Sequence, residues 1–100
     1  MLDYTLTYRT LSVKLTGEID HANAPGLRIQ LDNLIKTLKF DNFVIDLQNV
    51  TFMDSTAVGL IMGRYKKLKD LGKRVSFGNT SAAADKVLKV SGLYTIINKI

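Results

Sequence analysis

The chain has 100 residues, 46% of them hydrophobic and none cysteine, with a formal net charge of +5. That length gives one domain with a single core and no room for a second catalytic lobe, while the lack of cysteine excludes disulfides, thiolate nucleophiles and thiolate metal sites and suits a reducing compartment. The N-terminus alternates in polarity where a signal peptide needs a continuous apolar core, and no apolar run approaches the roughly 20 residues that span a bilayer, so the sequence predicts a cytoplasmic protein without a membrane partner.

Residues 4–8 and 11–17 are rich in β-branched and aromatic residues and alternate in polarity, which predicts an N-terminal hairpin turning at Arg9-Thr10. Gly17-Glu18-Ile19-Asp20-His21 leaves the second strand. Asn23 and Pro25 then mark a helix start, because proline fits a first turn where its missing N–H costs nothing. Leu27, Leu31, Leu34, Ile35 and Leu38 follow at helical spacing, as a stripe that packs on a sheet.

Residues 43–47 form the next strand, and after it comes Phe52-Met53-Asp54-Ser55-Thr56-Ala57-Val58-Gly59-Leu60, the stretch around which the chain is organised. It is a strand-to-helix junction, where a short carboxylate or hydroxyl accepts hydrogen bonds from free backbone N–H groups. Asp54, Ser55 and Thr56 are all candidates for that cap. Three capping side chains in a row exceed what one helix start requires, which raises the question of a hydroxyl exposed for another purpose. The second helix carries a predicted buried stripe of Val58, Ile61, Tyr65, Leu68 and Leu71 and ends at Gly72. Gly59 and Gly63 lie four apart on it. Tight packing is the ordinary explanation of such a pair, and Gly59, one turn from the cap, also suits a partner approaching beside Ser55.

Arg74-Val75-Ser76-Phe77 is a further strand, Thr80 or Ser81 caps a third helix through Lys89, Gly92 stops it, and residues 93–97 close the domain. The order is that of an α/β domain with a mixed sheet of four to five strands, the later ones parallel and joined by right-handed crossovers, packed with three to four helices.

The charge is uneven: residues 1–50 carry five basic against six acidic side chains, and residues 51–100 carry nine against three. Arg64, Lys66, Lys67, Lys69, Lys73 and Arg74 hold most of the excess. Such a cluster serves either as a solvated helix face or as a surface for phosphate backbones or an acidic partner, and no aromatic interleaving supports base stacking. The single histidine, His21, sits beside Asp20 and far in sequence from Ser55, and neither a Gly-x-Ser-x-Gly elbow nor a phosphate-binding Gly-x-x-x-x-Gly-Lys loop is present. The expectation is no enzyme, no cofactor and no metal. A small hydrolase using Ser55 and a basic nucleic-acid-binding domain are the competing readings from other classes.

Leu15-Thr16-Gly17-Glu18-Ile19-Asp20-His21, the Asp54-Ser55-Thr56 junction with Gly59, and Ser91-Gly92-Leu93 resemble the STAS-domain anti-sigma factor antagonists of bacteria, over nearly the whole chain. The run Gly63–Lys69 resembles those members that act on the anti-sigma F factor in spore formers. The resemblance implies one STAS domain over residues 1–100. It also implies that the serine after the junction aspartate, here Ser55, is phosphorylated by the cognate anti-sigma factor, itself an ATP-dependent serine kinase, and dephosphorylated by a PP2C-type serine phosphatase. In that scheme the unphosphorylated antagonist binds the anti-sigma factor and releases the sigma factor, so the protein is ligand and substrate and does not bind nucleic acid. The implied partner surface is Asp20, His21, Asp54, Ser55, Thr56 and Gly59. Asp20 serves equally as a local cap before the first helix. Ala57 stands where the family usually has glycine, and Thr56 offers a second acceptor hydroxyl.

Overall fold

The computed structural model describes residues 1–100. Its elements are β1 (Leu2–Thr7), β2 (Thr10–Ile19), α1 (Ala24–Thr37), β3 (Asn42–Met53), α2 (Ser55–Asp70), β4 (Arg74–Thr80), α3 (Ala82–Val90), a single 3-10 turn (Leu93–Thr95) and β5 (Asn98–Lys99). The strands form one sheet in the order β1-β2-β3-β4-β5, with β1 antiparallel to β2 and all other pairs parallel. This is the expected mixed α/β sheet, with five strands and three α-helices.

Strand alternation builds the core. Leu11, Val13 and Leu15 of β2 point to the same face as Phe43, Ile45 and Leu47 of β3 and Phe77 of β4, held in register by the pairs Leu11↔Phe43, Val13↔Ile45 and Ile45↔Phe77. Successive right-handed crossovers between strands in sequential order place every helix on that face, so one cluster of 24 buried residues fills the space between sheet and helices. The opposite face, with Ser12, Lys14, Asp46 and Ser76, is left without a covering layer.

Several local features depart from the sequence reading. The hairpin turns at Tyr8-Arg9, one residue early, because Thr10 already pairs with Thr7, and Tyr8 takes the positive φ of 55° that a two-residue loop demands. Strand β3 runs on past Leu47 to Met53. Register shifts on β2 and β3, one beside Gly17 at φ 91°, change the period so that Val50 and Met53 return to the core.

Helix α1 buries Leu27, Leu31, Leu34 and Ile35 as its spacing predicts, while Leu38, the last of the expected stripe, lies past the helix end as its extended C-cap and is half-buried. In α2 the buried set is Ala57, Leu60, Ile61, Arg64 and Leu68, while Val58 and Tyr65 are half-buried and Leu71 is exposed. The stripe is rotated because α2 packs against α1 along its flank as well as on the sheet. Ser81 caps α3, its Oγ accepting from Ala84 N at 3.1 Å, and Gly72 and Gly92 close their helices at φ 75° and 80°. Beyond Gly92, Tyr94 meets Phe77 edge-on at 5.7 Å and donates its hydroxyl to Asp85 Oδ1 at 2.7 Å. No helix is long and apolar enough to cross a membrane.

Candidate functional site

The parallel pairing of β2 with β3 ends at Ile19↔Met53, so the loops that follow these strands emerge side by side. Asp54 joins them. At the N-cap of α2 its Oδ1 accepts from Thr56 N at 2.9 Å and Ala57 N at 3.2 Å, while Oδ2 accepts from His21 N at 3.3 Å. The first two bonds satisfy donors that every helix start leaves free. The third ties the neighbouring loop, and Asp54 N donates to Ile19 O at 3.4 Å in return.

With Asp54 as the cap, Ser55 and Thr56 are both released from that duty. Ser55 is the first residue of α2, exposed, and its hydroxyl makes no hydrogen bond within the chain. Thr56 is half-buried, turned toward the groove beside His21. The sequence reading that one hydroxyl stands free therefore has a geometric basis at Ser55.

In the adjoining loop Asp20 has a local role. Its Oδ1 accepts from Asn23 N at 2.9 Å and its carbonyl accepts from Ala24 N at 2.9 Å, so Asp20 rather than Asn23 organises the entry to α1. Asn23 occupies the N-cap position, yet its amide donates back to Glu18 O at 2.9 Å and makes no cap bond. His21 is exposed, with only its backbone engaged by Asp54.

The glycine pair contradicts the tight-packing explanation. A Cβ built on Gly59 or Gly63 meets nothing within 4 Å, so neither glycine is needed for the chain to pack on itself, although each costs about 0.5–1 kcal/mol relative to alanine in a helix interior. Both line a groove of about 600 Å³ between α1 and α2, together with His21, Thr56, Arg28 and Arg64. Arg28 and Gly63 were not singled out for the site from sequence. The four-residue glycine spacing on an otherwise good helix was the available signal for Gly63, and Arg28 carries none without the α1–α2 packing.

The basic cluster does not form one face. Arg64 is only 9% exposed and its Nε lies 2.9 Å from Asp32 Oδ1 of α1, close enough for an ion pair but misaligned for a hydrogen bond. Lys67 Nζ lies 3.3 Å from the same oxygen, Lys69 stands over the Tyr65 ring, and Lys73 donates to Phe40 O at 2.6 Å. Lys66 and Arg74 are exposed. No group of three His, Asp or Glu side chains is arranged to hold a metal ion.

Comparison with known proteins agrees with this architecture. The profile of the STAS domain matches residues 2–100. The anti-sigma F factor antagonist of Paenibacillus polymyxa is 34% identical over 87 residues, covering 87% of this chain and 74% of that protein. The anti-sigma-B factor antagonist of Bacillus subtilis is 33% identical, with 88% of this chain and 79% of that protein covered. The solved structure of the anti-sigma factor antagonist SpoIIAA in its unphosphorylated form superposes at a TM-score of 0.83 with 27% identity, over all of this chain and 88% of that one. The phosphorylated form of SpoIIAA from Bacillus superposes at 0.75 with the same identity, over all of this chain and 91% of that one. The chain belongs to the STAS domain family and is similar along its length to the family's anti-sigma factor antagonists.

Proposed function

We propose that this protein is an anti-sigma factor antagonist switched by phosphorylation of Ser55. The observation that carries the reading is the division of labour at the junction: Asp54 caps α2 alone, and the adjacent Ser55 presents an exposed, unbonded hydroxyl at the start of the helix. Its similarity to a protein solved in both unphosphorylated and phosphorylated forms supports a covalent switch on this fold.

The unphosphorylated chain binds an anti-sigma factor and thereby releases a sigma factor; the anti-sigma factor, acting as an ATP-dependent serine kinase, phosphorylates Ser55, and a PP2C-type phosphatase resets it, all in the cytoplasm. Thr56 is the second choice of acceptor, disfavoured by its half-buried position. A phosphate adds about −1.5 to −2 charge at neutral pH at the positive end of the α2 dipole, with the Asp54 carboxylate that caps Thr56 N and Ala57 N opposing it locally. The fold tolerates the modification at this exposed position. A partner docked on Asp20, His21, Asp54, Ser55, Thr56 and Gly59 has instead to desolvate the phosphate or face its charge. Inverting a 99:1 equilibrium takes about 5.5 kcal/mol, and like-charge juxtaposition at an interface supplies several kcal/mol, so one phosphate provides most of the switch without refolding. In this scheme the protein is ligand and substrate, not catalyst.

The sporulation pathway through sigma F is the first reading, from the 34% identity to the Paenibacillus antagonist, and the general stress pathway is the second, from the 33% identity to the anti-sigma-B antagonist. The cognate kinase separates them. A nucleic-acid role fits less well, because the basic cluster is divided between ion pairs, aromatic contacts and solvent. The test is intact mass after incubation with ATP and candidate anti-sigma kinases, on the wild type, Ser55→Ala and Thr56→Ala. One phosphate, lost only in Ser55→Ala, is the expected result; a folded wild type that no kinase modifies refutes the switch.

A further inference from the structure

Resting on the reading above, we infer that the groove between α1 and α2 receives an α-helix of the anti-sigma factor, with one of that helix's carboxylates directed to Arg28. Three independent features converge on this groove. Its α2 wall is bare backbone at two places: Gly59 and Gly63 sit one turn apart with open space where each Cβ would stand. Glycine in a helix interior is disfavoured, and nothing inside the chain uses the room these two leave. Small residues one turn apart are what let a second helix backbone come close, and a trough between two helices is shaped for a third.

The walls select the charge. Arg28 is exposed and has no acidic partner. Arg64, nine-tenths buried, adds positive potential to the wall, but its guanidinium is already balanced by Asp32, so Arg28 is the cation free to take a partner. His21 stands at the mouth, and no acidic residue lines the groove. A carboxylate entering from a partner would meet the Arg28 guanidinium, which offers planar, charge-assisted donors. The groove is also continuous with the phosphorylation site, since His21 and Thr56 belong to both. A helix seated over Gly63 and Gly59 therefore points at the start of α2, so a phosphate on Ser55 lies at the end of the seat.

The test compares partner affinity with fold stability in the same variants. The probe is the anti-sigma F factor of Paenibacillus polymyxa, together with the anti-sigma-B factor of Bacillus subtilis, titrated with the unphosphorylated wild type, Ser55→Glu, Gly63→Ala, Gly63→Leu and Arg28→Glu. Gly26→Ala is the control, an equally open glycine on α1 outside the groove. Gly63→Ala is expected to raise the melting temperature, as Gly26→Ala does, because alanine is the better helix former. Unlike Gly26→Ala it is expected to weaken binding by about threefold or more, and Gly63→Leu and Arg28→Glu by about tenfold or more. A merely structural role for Gly63 predicts loss of stability and binding together, so the opposite signs in Gly63→Ala identify a docking surface. Wild-type affinity in Gly63→Leu and Arg28→Glu, with binding still lost in Ser55→Glu, overturns the groove and leaves the switch standing. A wild type that binds neither factor overturns the switch itself and the groove with it.

Discussion

Replacing Asp54 with alanine removes three backbone-to-carboxylate hydrogen bonds at one stroke, two to the first turn of α2 and one to His21 N. Loss of an N-cap acceptor costs about 1 kcal/mol, and the longer bond across to the neighbouring loop adds about 0.5 kcal/mol, for a total near 1.5 kcal/mol. For a domain of this size each kcal/mol moves the melting temperature by about 4–8 °C, so Asp54→Ala is expected to melt about 6–12 °C lower. Asparagine keeps one acceptor oxygen for Thr56 N and Ala57 N but sets an amide donor against His21 N, so Asp54→Asn should lose that third bond and the charge at the helix start, about 0.5–1 kcal/mol, and still less than alanine. Urea unfolding at neutral pH, followed by circular dichroism, measures both. The denaturant slope should stay constant, since no additional surface is exposed on unfolding. An alanine variant within about 0.5 kcal/mol of the wild type, or an asparagine variant as damaged as the alanine one, would show that Asp54 does not hold the junction in the way described.

Ser55→Ala should leave the urea midpoint where it is, within the roughly ±0.5 kcal/mol of ordinary surface substitutions, because the hydroxyl bonds to nothing in the chain. Gly72→Ala forces a Cβ into the left-handed region at φ 75° and is expected to cost about 1–2 kcal/mol, seen as a lower melting temperature. Phe77→Ala empties a fully buried position beneath Tyr94 and should cost about 3–5 kcal/mol, enough to leave the domain marginal in the same urea titration. The Asp85 carboxyl is held below the usual carboxylate range because the Tyr94 hydroxyl, and then the Lys89 ammonium, donate to its charged form. Its folded value lies below its unfolded value of about 3.9, so this stabilisation is present above about pH 4 and disappears as pH falls through the folded value. The difference in urea midpoint between the wild type and Asp85→Asn should accordingly be constant from neutral pH to about 5 and shrink in more acidic buffer.

The features legible in the sequence are those set by local chemistry. A cap within residues 54–56, the glycine stops at Gly72 and Gly92 and most of the leucine stripe of α1 stand where side-chain type and spacing put them. The features that were not legible depend on what packs on what. Gln48 and Asn49 break the alternation of β3, yet the strand continues because bulges rephase it, and a bulge leaves no mark in polarity. Arg64 reads as part of a basic run, but the α1–α2 contact turns it inward onto Asp32, which is 32 residues away in sequence and cannot be matched to it by spacing. The same contact rotates the buried stripe of α2 and leaves Leu71 outside. At the site, the excess of capping residues raises the question of a free hydroxyl without saying which, and only the family resemblance points to Ser55; that Asp54 also reaches the His21 backbone is not legible, because it depends on β2 and β3 ending level with each other.

In doubly wound sheets the strand order reverses at one point, the helices on either side depart to opposite faces, and small ligands enter the cleft that opens there. This sheet has no reversal: its strands follow one another from β1 to β5, and each crossover returns on the same side. The loops after β2 and β3 consequently stand shoulder to shoulder, laced together through Asp54, with no cleft parting them. Such an edge forms a ledge at the head of the α1–α2 groove, on which a broad macromolecular surface can rest across adjacent loops at once. Ser55 stands on this ledge, where a single modification is felt across the whole width of whatever rests on it.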